Sequence, residues 1–312
     1  MSGHPTSQNF RENAHAVLAD AQLQKALGHV RVNFIERRAA AAAQLPEFEA
    51  LRDSARDIKD HTLAHLDLYI EAYEKRVTES GGQVHFARTG PEATAAILEI
   101  CKRRNAKIVT KGKSMISEEI ALNEAIEAAG MTPVETDLGE YIIQLRHEAP
   151  SHIIAPAVHL NKEQVEADFR RVHTDLPKDR DLDAPETLLA EARAVLREKF
   201  LDADVGVTGA NFLVAETGTS IIVTNEGNGD LTQTLPRVHI VIASLEKIVP
   251  TLEDAAQILR VLGRSATGQD MSVYTTLSTG PRRDGAAALT DAHVGLHLRH
   301  VERGHEALSE GE

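Results

Sequence analysis

The hydrophobic pattern separates a helical N-terminal region from a region of alternating strands and helices. An alanine-rich stretch with dispersed charges is interrupted at Pro46. From Phe48 to Val77, apolar residues recur at mixed three- and four-residue spacing, which predicts a helix. Gly81-Gly82 then ends the pattern. We predict a helical arm over residues 1–80 that either caps the rest of the chain or packs on a partner.

Beyond the glycine pair, short apolar runs alternate with amphipathic helical patterns. The predicted strands cover residues 84–87, 106–110, 132–136, 152–155 and 237–243, and the predicted helices cover 91–104, 117–129, 161–173, 185–200 and 252–262. Such alternation predicts an α/β domain with a mostly parallel sheet flanked by helices. We place this domain at residues 81–285 and expect a poorly ordered tail at 286–312, where the sequence becomes rich in histidine, alanine and charge.

The segment from Val205 to Pro236 combines β-branched runs with glycine, threonine and asparagine. It contains the phrase Glu216-Thr217-Gly218-Thr219, whose carboxylate can act as nucleophile, general base or anchor for a ligand hydroxyl. The structural alternative is an edge-strand glutamate beside a bulge glycine. The loop that follows is either a hairpin or part of a site. We predict Glu216 as catalytic and the following as ligand-binding: Thr217, Gly218, Thr219, Asn225 and Asn228.

A second candidate, Lys111-Gly112-Lys113-Ser114, follows a predicted buried strand and leads into a helix. In open α/β sheets, ligands bind outside the carboxyl ends of the strands. Ammonium groups, a hydroxyl and amides near a helix start suit a phosphate or carboxylate. The upstream glycine of a Walker motif is missing, and a solvated basic turn is the alternative. We predict that all four residues bind ligand.

Composition narrows the classes of function. The 312 residues carry a net charge of −13, which argues against a nucleic-acid binder. The single cysteine excludes an internal disulfide and a protein-ligated iron–sulfur cluster held by this chain alone. His61 and His65 have zinc-compatible spacing but no evident third ligand, so no metal site is predicted. Without an apolar signal region or a run of transmembrane length, we expect a cytoplasmic protein with no membrane insertion.

Several phrases in one order resemble the LUD family. They span roughly residues 9 to 283 and read VTKGKSM, DLGEYI, HEAPSHIIAPAVHLNKEQV, GANF, AETGTSIIVTNEGNG, LPRVHIVIASLEKIVPTLEDA and YTTLSTGPRR. The resemblance implies an α/β fold related to the NagB/RpiA/CoA-transferase-like superfamily. It also implies a part in oxidising L-lactate to pyruvate, in a cytoplasmic complex with other lactate utilisation subunits.

Family members of this type usually continue into a ferredoxin-like domain with cluster-binding cysteines. This chain contains none of those cysteines, so we predict no cofactor bound by it and expect an iron–sulfur cluster in full-length members only. Three explanations stay open: the domain was lost, the reading frame shifted near Gly285, or the protein was built without it.

Three functional hypotheses follow. In the first, the chain is one component of a multi-subunit L-lactate dehydrogenase system. Lys111 and Lys113 would hold a small carboxylate ligand, and Glu216 would anchor or deprotonate the hydroxyl of that ligand. Alternatively, this domain would dock a redox partner. In the second, a free-standing isomerase or acyl/CoA-transfer enzyme uses Glu216, a fold-level analogy. In the third, the chain is a non-catalytic scaffold whose helical arm binds partner subunits.

Overall fold

A computed structural model describes residues 6–151, 155–281 and 291–297 of the chain. Its α-helices are α1 (Phe10–Ala19), α2 (Ala21–Val30), α3 (Arg37–Ala43), α4 (Phe48–Ala64), α5 (Leu66–Glu79), α6 (Gly90–Arg103), α7 (Met115–Glu119), α8 (Leu122–Ala128), α9 (Leu138–Arg146), α10 (Lys162–Val172), α11 (Pro185–Leu201), α12 (Asn228–Thr234) and α13 (Leu252–Thr267). Its strands are β1 (Gln83–Ala87), β2 (Ile108–Lys111), β3 (Thr132–Glu135), β4 (Val205–Gly209), β5 (Phe212–Val214), β6 (Thr219–Thr224), β7 (Val238–Ser244), β8 (Ile248–Val249), β9 (Tyr274–Ser278) and β10 (Asp291–His297).

The main sheet has six strands in the order β1-β10-β7-β4-β2-β3, and every neighbouring pair is parallel. Parallel neighbours need crossover connections, which the helices between them provide. The predicted α/β class with a mostly parallel sheet flanked by helices is therefore confirmed. All of these strands point their carboxyl ends to the same edge.

Alternation along β7 builds two cores. Val238, Ile240 and Ile242 pack with α6 and α8 in one buried cluster. Val241 and Ala243 belong to another cluster, which includes residues of α5 and of the smaller sheet. Successive side chains of a strand point to opposite faces, so a strand with apolar residues at successive positions is buried on both. This explains why β7 lies inside the sheet.

A smaller sheet has the strand order β8-β5-β6-β9, with β5 and β6 forming an antiparallel hairpin. Phe212, Val214 and Ile221 of this hairpin pack against Ala255 of α13. The hairpin lies within the segment from Val205 to Pro236, whose β-branched runs favour strands. One end of the hairpin lies near the N-terminus of α13, and the other end lies at the carboxyl edge of the main sheet. The candidate site residues of this segment are therefore divided between two places.

The N-terminal region is helical, as predicted, and contacts the body of the same chain. Breaks occur at Asp20 and His65, and a π-helical stretch covers Arg31–Glu36. Arg264 of α13 donates to the carbonyl of Ala41 at 2.7 Å, and Arg260 pairs with Glu47 at 2.8 Å. Helices α3 and α4 therefore pack on α13. The limits of the arm stay a prediction.

Three differences from the predicted elements stand out. Helices α9 and α12 occupy segments in which no helix was predicted. The helix predicted at 117–129 is divided into α7 and α8, because Ala121 adopts a left-handed conformation with φ of 51°. The strand β10 lies within the segment 286–312 predicted as a poorly ordered tail; pairing with both β1 and β7 satisfies its backbone.

The rest of that predicted tail lies outside the described residues, as does most of the strand predicted at 152–155. Among the helices that the structure describes, none combines the length and apolar character needed to cross a membrane.

Candidate functional site

A cleft of about 520 Å³ opens at the carboxyl edge of the main sheet. Its walls come from the segments that follow β2 and β4, from the end of β7, and from the far end of the β5–β6 hairpin. Five predicted site residues line it: Gly112, Lys113, Ser114, Asn225 and Asn228. The location agrees with the rule that ligands bind beyond the carboxyl ends of parallel strands.

The cleft carries charges of both signs. Lys113 and Lys247 contribute ammonium groups, and the carboxylates come from Glu119, Asp137, Glu226 and Glu246. Lys113 keeps about 26% of its side chain exposed, and its Nζ lies 3.9 Å from Oε1 of Glu140. The side chain of Lys113 is therefore partly exposed on the wall of the cleft.

Backbone packing positions the two walls. Ser114 is the N-cap of α7, and its Oγ accepts from the amide of Ser117 at 3.4 Å. A Cβ at Gly209 would lie 3.3 Å from both Cβ and Oγ of Ser114, so the glycine allows β4 to run close to this loop. On the opposite side, Asn228 is buried at the start of α12.

Lys111, predicted to bind ligand together with its neighbours, does not line this cleft. The side chain is 1% exposed, and its ammonium contacts Ser117 Oγ at 2.8 Å, Glu135 Oε1 at 2.7 Å and Glu118 Oε1 at 3.1 Å. An ammonium has three donors, and these contacts use all three. Lys111 therefore belongs to a buried ion pair, and its role in binding a carboxylate stays a prediction.

Electrostatics explain why Lys111 stays charged. Burial by itself would lower its pKa, but the neighbouring charges of Glu135 and Glu118 outweigh burial and raise the pKa. Burial also raises the pKa of Glu135, and Lys111 counteracts that effect. The register places Lys111 directly opposite Glu135 on adjacent parallel strands. The pair therefore joins the carboxyl ends of β2 and β3.

The Glu216 phrase lies at the other end of the hairpin from the cleft. The length of β6, about 17 Å at roughly 3.3 Å per residue, separates Thr219 from Thr224. Glu216 is exposed, and its Oε1 accepts from the amide of Leu252 at 2.7 Å, at the start of α13. A carboxylate in this position stabilises the helix N-terminus. Glu216 and Asn228 therefore do not share a site.

The remaining residues of the phrase have structural contacts. Thr217 Oγ1 lies 2.8 Å from Thr219 Oγ1, which lies 2.6 Å from Thr279 Oγ1. Gly218 has a φ of 70°, and a Cβ there would lie 2.6 Å from the amide nitrogen of Val77 in α5. The glycine thus allows this turn to pack on the backbone of an N-terminal helix. The role of Gly218 in binding a ligand stays a prediction.

Sequence reasoning missed the carboxylates around Lys111. Glu135 and Glu140 are buried, and Glu118 is partly exposed beside them. One signal was available: Glu135 ends the strand after Lys111, and consecutive strands of a parallel sheet are usually neighbours. Glu140 joins these carboxylates because it lies in α9, and the sequence analysis predicted no helix in that segment.

Glu140 is the carboxyl group of this cluster that can titrate near neutrality. Burial raises its pKa to about 7, and the nearby charges of Glu135 and Glu118 act in the same direction. The folded protein therefore disfavours the ionised form relative to the unfolded chain. This costs stability progressively as the pH rises from about 4.5 to about 7.

Glu140→Gln is accordingly expected to stabilise the protein at alkaline pH. At pH 8 the free energy of unfolding should rise by about 3 kcal/mol, at roughly 1.4 kcal/mol for each unit of pKa difference. At pH 4.5 the variant should match the wild type. Urea unfolding across this range measures the difference, and the exposed Glu186→Gln is the control. A pH-independent difference would contradict the assignment.

The residues of this chain do not fit an iron–sulfur cluster. Cys101 is fully buried in α6, and burial raises the pKa of its thiol to about 11. A cluster needs several thiolates, and this chain offers one cysteine. Within the described ranges, no group of three or more histidine, cysteine, aspartate or glutamate side chains is placed to hold a metal ion.

Comparison with known proteins shows what the chain is similar to. It is 43% identical over 299 residues to lactate utilization protein B of Bacillus licheniformis, covering 96% of this chain and 61% of that protein. It is 40% identical to the Bacillus subtilis protein of the same name, covering 95% and 60%. An uncharacterized electron transport protein of Escherichia coli is 38% identical, with coverage of 97% and 62%. The chain thus spans about three fifths of these relatives.

The structural comparison gives a weaker likeness. A DUF162 family protein from Deinococcus radiodurans aligns with 75% of this chain, and the alignment covers 98% of that protein. The two share 12% sequence identity at a TM-score of 0.39, and this TM-score is too low to support an argument. The family comparison is decisive, because the model described as the LUD domain matches residues 70–297. The chain therefore belongs to the LUD domain family, as the resemblance of its phrases indicated.

Proposed function

We propose that this chain is a subunit of an L-lactate utilisation system in the cytoplasm, and that its cleft binds a small carboxylate. The observation that carries the proposal is the 43% identity, over 96% of the chain, to a protein named for lactate utilization. The iron–sulfur and electron-transfer chemistry belongs to other subunits or to segments that this sequence does not contain.

The charges in the cleft suit a 2-hydroxycarboxylate. The ammonium of Lys113 would hold the ligand carboxylate, with Ser114 and Asn228 as hydrogen-bonding neighbours. The carboxylates on the walls would accept from the ligand hydroxyl, because ionised carboxylates are acceptors only. L-Lactate carries both of these groups. A redox partner docking over the same edge is the alternative use of the cleft.

Binding to the purified chain tests the role of Lys113. Lys113→Gln is expected to weaken L-lactate affinity by at least about tenfold, since a hydrogen bond to a charged group contributes roughly 1.5–3 kcal/mol. Isothermal titration calorimetry measures the change. Lys107→Gln is the matched control, because this exposed lysine lies just before β2 and does not line the cleft. Equal affinities for both variants would contradict the proposed site.

Growth on L-lactate separates the functional hypotheses. Deleting the gene should abolish growth on L-lactate, and complementation with Glu216→Gln should restore it, because Glu216 caps α13 away from the cleft. Loss of growth with Glu216→Gln, together with turnover of CoA esters by the purified chain, would instead support the acyl-transfer hypothesis. Growth that tolerates Lys113→Gln but fails after deletion of α1–α3 would support a scaffold.

A further inference from the structure

A short turn between β7 and β8 carries two of the charged groups that line the cleft. This single 3-10 helical turn, here called the cleft turn, covers Leu245–Lys247. Its first residue, Leu245, and the residue that follows it, Ile248, are both buried in one apolar cluster. Glu246 and Lys247 lie between these two buried positions and line the cleft. The position of the turn therefore determines where the two charged side chains lie.

Lys59, in α4 of the helical arm, holds the cleft turn by its backbone. Its ammonium donates to the carbonyl of Glu246 and, at 2.9 Å, to the carbonyl of Ile248. These two carbonyls belong to the residues on either side of Lys247. Carbonyls at the C-terminal end of a helical turn lack partners within the turn, and a cation there is stabilising. Lys59 does not line the cleft itself, so it contacts the cleft wall from behind, through the backbone of the turn.

The two ammonium groups of the cleft differ in their surroundings. Lys113 lies 3.9 Å from the carboxylate of Glu140. Lys247 is partly exposed and, within the part of the chain that the structure describes, forms no ion pair with a carboxylate. The carboxylates on the walls of the cleft repel an anionic ligand, so such a ligand needs an ammonium that the protein has not already paired. Lys247 provides that group.

We propose that Lys247 binds the carboxylate of the ligand together with Lys113, and that Lys59 is the positioning residue that holds Lys247 at the cleft wall. The inference rests on the proposed function, because it requires that the cleft binds a small carboxylate. It adds a binding residue that the sequence did not single out. It also gives the helical arm a part in ligand binding that requires no partner subunit.

Isothermal titration calorimetry with L-lactate tests the role of Lys247. Lys247→Gln is expected to weaken the affinity about tenfold, the effect of losing one charge-assisted hydrogen bond. The exposed Lys107→Gln is the control, as for Lys113. If Lys247→Gln binds as tightly as the wild type while Lys113→Gln binds more weakly, the inference fails and the proposed function stands. No binding by the wild type would instead overturn the proposed function, and the role of Lys247 with it.

Hydrogen exchange of the ligand-free protein tests the positioning role of Lys59. Lys59→Met should speed exchange in a peptide that covers residues 244–250, because the turn loses both of its contacts with the ammonium. The same variant should weaken L-lactate affinity several-fold. Arg260→Gln is the control, because Arg260 joins α13 to Glu47 of the arm and not to the cleft turn. Unchanged exchange in Lys59→Met, or equally fast exchange in the control, would overturn the positioning role.

The pH dependence of binding separates positioning from packing. Burial and, next, the charge of Lys247 lower the pKa of Lys59 to about 8, whereas Glu246 acts in the opposite direction. Lys59 therefore loses its charge as the pH rises through about 8, and L-lactate affinity should fall over the same range. Lys59→Arg should bind at neutral pH but lack this fall, because arginine stays charged. Glu140 titrates near 7 in both proteins, so their difference isolates Lys59. An identical fall in Lys59→Arg would refute the proposal.

Discussion

Gly206→Ala is expected to destabilise the protein by at least about 3 kcal/mol, the upper range for overpacking in a core. Gly206 lies in β4, opposite Thr110 on one side and His239 on the other. A Cβ at this position would overlap the carbonyl oxygen of Thr232 in α12 and would lie 3.1 Å from Cγ of Pro236. The obstacle on one side is backbone, so a side-chain rotation cannot relieve it.

The same substitution should also affect the cleft. Helix α12 begins with Asn228, so pushing α12 off β4 would displace this residue from the wall of the cleft. Chemical unfolding measures the loss of stability, and ligand titration measures the loss of binding in any folded fraction. Gly28→Ala is the matched control, because a Cβ there meets no atom within 4 Å and alanine favours its helix. A Gly206→Ala protein as stable as wild type would show that α12 does not pack this closely.

Lys111→Met is expected to cost about 3–5 kcal/mol, the usual loss when one partner of a buried ion pair is removed. The substitution leaves Glu135 97% buried without its 2.7 Å ammonium partner. Methionine fills much of the same volume, so the loss reports mainly on charge. Adding Glu135→Gln to Lys111→Met should recover part of the stability, because it removes the uncompensated charge. Guanidinium unfolding of the three variants provides the double-mutant comparison.

Lys113→Met is the internal control for this experiment, two residues away in the same motif. Its Nζ lies 3.9 Å from Glu140, and the side chain is partly exposed, so the expected loss is about 1 kcal/mol or less. Comparing the stability and L-lactate binding of the two variants distinguishes a structural role of each lysine from a role in binding the ligand. If Lys111→Met were fully stable but unable to bind L-lactate, the prediction of Lys111 as a ligand group would be supported and its structural role contradicted.

The sequence by itself determined the class of fold and the family. The apolar runs at 106–110 and 237–243 are the buried strands β2 and β7, and the helical patterns between strands form the flanking layers. These features are readable because periodicity and turn residues act over a few neighbouring positions. The same local logic placed Lys113 and Ser114 beyond the end of β2, at the edge where the cleft forms.

Only the tertiary structure decided which of the candidate residues lie together. Lys111 and Lys113 are two residues apart, yet one ends a buried strand and pairs with Glu135, while the other extends into the cleft. Glu216 and Asn225 belong to one hairpin segment but lie at its opposite ends, and Gly218 contacts the helix α5. Strand order, crossovers and helix packing set these distances. They depend on contacts between residues far apart in the chain, which local spacing does not encode.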